Sequence, residues 1–302
     1  MSQLLFPTTV VGSMPRSQYV KDLVDGLAVS GKPSSEFQRL MDTAVPYVAQ
    51  MQEAAGIDII SDGEWRRKSY IGVIADICSG FEVSVREVNG ERQTWHIVTD
   101  EISPVNQGLM AMEARFLKEH TSRQVKVALP SPYLLGERMW DPEASSKAYP
   151  TRRDFTEALV PVLRAELVAL RDEGVAIAQF DDPELCLFVD PEIRASHSDP
   201  DGEVEYCVGL LNRVVEGIEG VRTALHLCRR NKGTRRLDRK RRLRAHPPGA
   251  ARARLRHRHA GVRHARGGRQ EDSPRPARAH EHRPGMRGLS QRSHRHPGGD
   301  RA

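Results

Sequence analysis

The pattern of apolar and polar positions in the first 228 residues alternates between short β-branched runs and longer amphipathic stretches. The short apolar runs predict strands at 8–11, 57–60, 125–129, 176–180 and 223–225. Apolar residues at helical spacing predict helices at about 35–55, 153–171 and 204–218. Strands that alternate with helices are typical of a parallel β-sheet with helical crossovers. The pattern therefore indicates an α/β fold.

Polar groups that could carry chemistry follow four of these runs, within four residues of the end of each run. They are Gly12-Ser13, Gly63-Glu64, Asp181-Asp182 and His226-Leu227-Cys228. Chemistry gathered at the carboxyl ends of parallel strands is typical of a (β/α)8 TIM-type barrel. A doubly wound sheet also binds ligands at its strand ends, but it usually has an early glycine-rich phosphate-binding motif, and this sequence has none. We therefore predict the barrel.

The composition changes abruptly after Cys228. Residues 1–228 contain 22 of the 46 basic and 35 of the 40 acidic side chains, which gives them a net charge of −13. Residues 229–302 contain 22 Arg, 2 Lys and 8 His, with no Ile, Phe, Tyr or Trp. The overall charge of +6 therefore describes neither part. We predict a truncated barrel domain at 1–233 and a disordered, Arg-rich low-complexity tail at 234–302.

The cysteines and the hydropathy pattern indicate a compartment. The four cysteines lack the spacing of a disulfide framework; they are Cys78, Cys186, Cys207 and Cys228. The chain has no signal peptide and no long apolar run. These features predict a cytoplasmic protein with reduced thiols and without a membrane segment.

The tripeptide at the end of the last predicted strand is a candidate metal site. Neutral imidazole and thiolate, as His226 and Cys228 supply, suit Zn²⁺. A catalytic zinc needs three protein ligands and one open position. A single His-x-Cys pair is more often a coincidence than a ligand pair, so the interpretation depends on the other strand ends.

The remaining polar residues each allow two interpretations. Asp181 and Asp182 are suited to bind an ammonium group or a metal, or to act as a general base, whereas an Asp before Pro183 also suits a helix N-cap. Glu64 fits either a site or a solvated loop. The Gly12-Ser13 pair fits either a carboxylate-binding segment or a simple turn.

Four motifs connect these strand ends in chain order. They are Thr8-Thr9-Val10-Val11-Gly12-Ser13-Met14-Pro15-Arg16, Asp62-Gly63-Glu64-Trp65-Arg66-Arg67, Gln179-Phe180-Asp181-Asp182-Pro183 and His226-Leu227-Cys228-Arg229. Together they resemble the cobalamin-independent methionine synthase family, over residues 5 to about 233. The similarity is to the catalytic barrel of the family, without its additional N-terminal barrel.

The resemblance implies a zinc-dependent methyltransferase. In the family, Zn²⁺ binds the homocysteine thiol as a thiolate, which attacks the methyl group of a methyl-folate to make methionine. The resemblance implies that His226 and Cys228 are zinc ligands. It also implies that Ser13, Glu64 and Asp181 bind the amino-acid part of the thiol substrate, and it assigns no further catalytic residue. The expected partners are thus a small-molecule thiol and a methyl donor.

Two departures from the family pattern leave alternatives open. Asp181-Asp182-Pro183 stands where the family usually has Asp-Glu-Pro, and Leu129-Pro130-Ser131-Pro132 differs near the folate site. One alternative is another zinc-thiolate alkyltransferase of the same superfamily, such as one that joins epoxyalkanes to coenzyme M. The other is a non-catalytic barrel remnant whose basic tail binds polyanions, including nucleic acid, non-specifically.

The tail departs from the family completely. The resemblance implies a Glu and a Cys as further zinc ligands, yet no cysteine follows Cys228. With codons chosen freely, back-translation with a one-base shift can give Leu-Glu-Phe from residues 260–262 and a cysteine-containing segment similar to the family's C-terminal motif from 280–301. We interpret the tail as an out-of-frame product of a frameshift near codons 229–236, and expect the chain to be unstable and inactive. The alternative is a genuine basic appendage.

Overall fold

The structure is a computed structural model that describes residues 6–30, 35–88 and 91–228. Its helices are α1 Gln18–Ser30, α2 Ser35–Ala54, α3 Val73–Ile77, α4 Leu109–Glu119, α5 Pro132–Met139, α6 Arg152–Asp172, α7 Pro183–Leu187, α8 Pro191–Ala195 and α9 Pro200–Val215. Its strands are β1 Ile59–Ile60, β2 Cys78–Val88, β3 Glu91–Pro104, β4 Gln124–Pro130, β5 Ile177–Asp181 and β6 Arg222–His226.

Four of the strands form a parallel sheet in the order β1-β4-β5-β6. Thr9 extends the sheet beyond β1 through an isolated parallel bridge to Ile59. The other two strands, β2 and β3, form a separate antiparallel hairpin. Because helices connect the parallel strands, the predicted α/β fold is confirmed. Closure of this sheet into a barrel is not seen among the residues that the structure describes.

The two faces of the sheet carry different side chains. Val127 and Leu129 of β4 and Phe180 of β5 belong to the largest buried apolar cluster, together with residues of α4 and α6. Side chains alternate along a strand, so Lys126 of β4 and Gln179 of β5 lie on the opposite face. The helices α4 and α6 therefore cover one face of the sheet, and polar side chains line the other.

Strongly periodic segments end close to where the sequence predicts. Helices α2 and α6, and strands β4, β5 and β6, lie within two residues of their predicted bounds. Helix α9 begins at Pro200, four residues before the predicted 204, because Asp199 caps it by accepting from the Gly202 N–H. The predicted strand at 8–11 is reduced to the Thr9 bridge.

Several predictions fall outside the described residues. The predicted boundary at residue 233 and the tail at 234–302 both lie there.

Among the helices that the structure does describe, none combines the length and the apolar character needed to cross a membrane.

Candidate active site at the strand ends

Glu64 lies in a tight turn that follows β1. The backbones of Gly63 and Glu64 are both left-handed, with φ angles of 64° and 57°. The turn is fixed locally, because the Glu64 N–H donates to Asp62 Oδ1 at 3.0 Å and the Gly63 N–H donates to Ser61 Oγ at 3.1 Å. The Glu64 side chain is buried, with only 4% of the residue exposed. A non-glycine residue in this conformation is uncommon, and its occurrence at a buried acid points to a functional site.

The Gly12-Ser13 segment contacts this turn. The Ser13 hydroxyl donates to Glu64 Oε2. The Met14 N–H donates to the Gly63 carbonyl at 3.0 Å. A Cβ atom on Gly12 would lie 3.2 Å from Glu64 Oε1, so glycine allows the close approach of the two segments. The structure thus brings together two of the predicted substrate-binding residues, Ser13 and Glu64.

Asp181 is the third predicted substrate-binding residue, and it ends β5 on the polar face of the sheet. It accepts a hydrogen bond from Gln179 Nε2 at 2.7 Å. Burial raises the pKa of Asp181 to about 7; the hydrogen bond from Gln179 lowers this pKa and the negative charge of Glu64 raises it. The effect of Glu64 on this pKa indicates that the two acids act within one electrostatic environment.

Asp182 has a structural role. It caps α7 by accepting from the Leu185 N–H at 2.8 Å, with Pro183 as the first helical residue. Its other oxygen accepts from Ser131 Oγ at 2.6 Å and from Cys207 Sγ at 3.2 Å. The N-cap interpretation of Asp182 is therefore confirmed, while Asp181 faces the site.

The predicted zinc ligands lie beside Asp181. His226 ends β6 in register with Asp181, and its carbonyl accepts from the Asp182 N–H at 2.9 Å. Cys228 follows two residues later, and both residues are partly buried. In the part of the chain that the structure describes, no three His, Cys, Asp or Glu residues cluster as a metal site would require. Imidazole and thiolate suit Zn²⁺, but two ligands are fewer than a catalytic zinc needs.

Two charged residues near the site, Lys126 and Arg67, are not among the site residues predicted from the sequence. Lys126 of β4 is 2% exposed and donates to the carbonyls of Val10 and Val11. Burial lowers the pKa of Lys126 to about 8, against the raising effect of Asp181 and Glu64. Arg67 is also buried and pairs with Glu113 at 2.9 Å. A lysine inside an otherwise apolar strand was the available signal for Lys126.

Comparison with known proteins tests the resemblance. The family model described as the catalytic domain of the cobalamin-independent synthase matches residues 6–232. The chain belongs to this family. Its curated relatives include the methionine synthases of Sulfolobus acidocaldarius, 29% identical over 228 residues, and of Pyrococcus abyssi, 28% identical over 231 residues. These alignments cover 74% and 75% of the chain.

Solved structures of cobalamin-independent synthases share the fold. A B12-independent methionine synthase from a Shewanella species, determined in complex with selenomethionine, superposes with a TM-score of 0.59 at 24% identity. This match covers 75% of the chain and 62% of that structure. A putative vitamin-B12-independent methionine synthase from Listeria monocytogenes gives a TM-score of 0.57 at 22% identity, covering 75% of the chain and 67% of that structure. The chain spans 61–62% of the length of the curated relatives named above. The match to the family ends at residue 232, so the comparisons do not support nucleic-acid binding by the tail.

Proposed function

We propose that the strand-end site binds the amino-acid part of homocysteine, and that the chain is a methyltransferase domain of the methionine synthase type. The observation that carries the proposal is the Ser13–Glu64 hydrogen bond, formed at a left-handed turn that shares its electrostatic environment with Asp181. Membership of the cobalamin-independent synthase family supports the reaction class.

The charges of the site suit an amino acid. Glu64 and Asp181 are buried carboxylates, and a substrate ammonium group that pairs with both would offset their mutual repulsion. The backbone N–H groups of Gly12 and Ser13 suit the substrate carboxylate, while the Ser13 hydroxyl donates its one proton to Glu64 and so orients that acid beside the substrate. In this arrangement the residues of the chain bind and orient the substrate, while its thiol extends toward His226 and Cys228.

Zinc belongs to this proposal only in part. His226 and Cys228 have the donor chemistry of zinc ligands and would hold the ion, which would keep a bound thiol deprotonated. The described residues supply only two of the three protein ligands required. They do not make a complete zinc site.

We also propose that the sheet is part of a (β/α)8 barrel. The parallel order β1-β4-β5-β6 and the polar residues at the strand ends both support this topology. We propose a methyl-folate as the methyl donor, and this part of the proposal rests on family membership alone.

Thiol selectivity tests the proposed function. The proposed binding residues all precede Cys228, so we expect calorimetry to detect homocysteine binding even where the chain is inactive in methyl transfer. We expect no binding of coenzyme M, because coenzyme M carries a sulfonate and no ammonium group to pair with Glu64 and Asp181. Glu64→Gln and Asp181→Asn should each weaken homocysteine binding about tenfold to a hundredfold, since hydrogen bonds to charged groups contribute about 1.5–3 kcal/mol. Glu143→Gln, at an exposed acid, is the matched control and should bind normally. Equal binding of coenzyme M would instead favour the other alkyltransferases of the superfamily.

A further inference from the structure

Lys126 connects three separate parts of the site. Its ammonium group donates to the Val10 carbonyl, to the Val11 carbonyl at 3.0 Å and to Gln179 Oε1 at 2.8 Å. An ammonium group has three N–H donors, so these three acceptors use all of them. None of the three acceptors is an acid, and the lysine therefore acts on backbone and amide groups rather than in a direct ion pair.

Gln179 continues this connection to the acid of the site. Its Nε2 atom donates to the Val11 carbonyl at 2.9 Å and to Asp181 Oδ1 at 2.7 Å. The Val11 carbonyl thus accepts from both Lys126 and Gln179. A continuous set of hydrogen bonds runs from the segment before Ser13, through β4 and β5, to the Asp181 carboxylate.

The segment that carries Ser13 depends on these contacts. At one end, Thr9 forms an isolated bridge with Ile59, and at the other the Met14 N–H donates to the Gly63 carbonyl. Between these two points the carbonyls of Val10 and Val11 are held by the side chains of Lys126 and Gln179. Side chains here take the place of the strand ladder that the sequence predicts for residues 8–11.

We infer that Lys126 is a positioning residue, which fixes Ser13 and Asp181 relative to each other through Val10, Val11 and Gln179. The identity of the ligand in this inference rests on the proposed function. The positioning of Ser13 and Asp181 by Lys126 is inferred from the hydrogen bonds alone. Lys126 does not touch substrate in this arrangement. Its effect on binding passes through the segment at 10–13 and through Gln179.

The first test needs no ligand. Amide hydrogen exchange in the full chain should become at least about tenfold faster at residues 10–14 in Lys126→Met, with the Met14 N–H, which donates to the Gly63 carbonyl, as the reporter, because two charge-assisted hydrogen bonds that hold the segment are lost. Exchange in α6 should stay unchanged. Lys147→Met, at an exposed lysine, is the matched control and should leave both regions unchanged. Unchanged exchange at residues 10–14 in a folded Lys126→Met protein would overturn the inference.

A second variant covers the case in which Lys126→Met does not fold. Gln179→Leu keeps the lysine but removes the hydrogen bonds that Gln179 donates to the Val11 carbonyl and to Asp181, so it should also speed exchange at residues 10–14. If Gln179→Leu leaves that exchange unchanged, Gln179 does not connect the segment to Asp181, and the inferred route from Lys126 to that acid is wrong.

Homocysteine binding separates a positioning role from a purely structural one. Lys126→Met should weaken binding about tenfold to a hundredfold, as the loss of a charged hydrogen bond does. If the lysine acts through the Ser13 segment, the double variant with Ser13→Ala should lose less than the two single losses combined. Additive losses would contradict the inference. Failure of the unaltered chain to bind homocysteine would count against the proposed function, while hydrogen exchange would still decide the role of Lys126.

Discussion

The backbone at Gly63 shows how a single residue can determine the geometry of the site. Its φ of +64° is left-handed, and a Cβ atom there would lie 3.1 Å from Met14 Cβ and 3.2 Å from Val48 Cγ2. We expect Gly63→Ala to lower the free energy of unfolding by about 1–3 kcal/mol, measured by urea denaturation, because it adds both backbone strain and a close contact.

Gly209→Ala is the control. Gly209 lies inside α9, and a Cβ atom added there would have no neighbour within 4 Å, so its substitution should raise stability by up to about 1 kcal/mol. Equal effects of the two changes would show that the turn is not strained.

Protonation of Asp181 should make ligand binding depend on pH. Because burial raises the pKa of Asp181 to about 7, the carboxyl group is largely neutral one pH unit below that value and ionised one unit above it. Only the ionised form attracts the substrate ammonium group, so homocysteine affinity should rise as the pH increases from about 6 to about 8. Calorimetry across this range measures the effect. Asp181→Asn should remove this rise, and a rise that persists in that variant would assign it to another group.

At the scale of elements, Asp182 joins α7 to its neighbours. It caps α7 and also accepts hydrogen bonds from the Ser131 hydroxyl and from the Cys207 thiol of α9. Ser131 is itself the N-cap of α5. Asp182→Ala should lower the free energy of unfolding by about 2–4 kcal/mol, since a lost cap costs about 1 kcal/mol and the buried partners lose their acceptor. Asp199→Ala also removes a cap, that of α9, but from an exposed position. It should cost only about 1 kcal/mol, and thermal or urea unfolding of both variants tests the difference.

The elements also show what the sequence alone can predict. Long periodic segments such as α2 and α6 were predictable because an amphipathic helix repeats its own signal over several turns. The hairpin of β2 and β3 was missed because its pairing depends on contacts between strands, which neither strand encodes by itself. Within the site, Ser13, Glu64 and Asp181 were found as polar residues after apolar runs, but their roles stay predictions. Lys126 was not predicted because a lysine in an apolar strand signals a buried charge but does not identify the three oxygen acceptors that surround it.

At the scale of the whole molecule, the number of metal ligands is the first quantity to measure. His226 and Cys228 are two ligands, and no group of three was found among residues 6–30, 35–88 and 91–228. We therefore expect the purified chain to retain well below one zinc ion per molecule after dialysis, measured by atomic absorption. His226→Ala should remove most of the remaining zinc. One tightly bound zinc per chain would contradict this expectation and would require further ligands after Cys228.

The origin of the tail is decided by the gene itself. A change from net −13 before residue 229 to a segment with 22 Arg and no Ile, Phe, Tyr or Trp is hard to reconcile with one reading frame that encodes one folded domain. We predict that translating the real codons of residues 234–302 in the shifted frame yields a Glu and then a Cys, near the positions reached by back-translation of 260–262 and 280–301. Resequencing genomic DNA across codons 225–240, with codons 55–70 as the control, shows whether the shift is present in the gene or was introduced when the gene was sequenced. A restored frame would complete the ligand set begun by His226 and Cys228 and add the apolar residues that further barrel strands need. A shifted frame without the Glu and Cys would refute the out-of-frame interpretation and leave the basic segment as a genuine part of the protein.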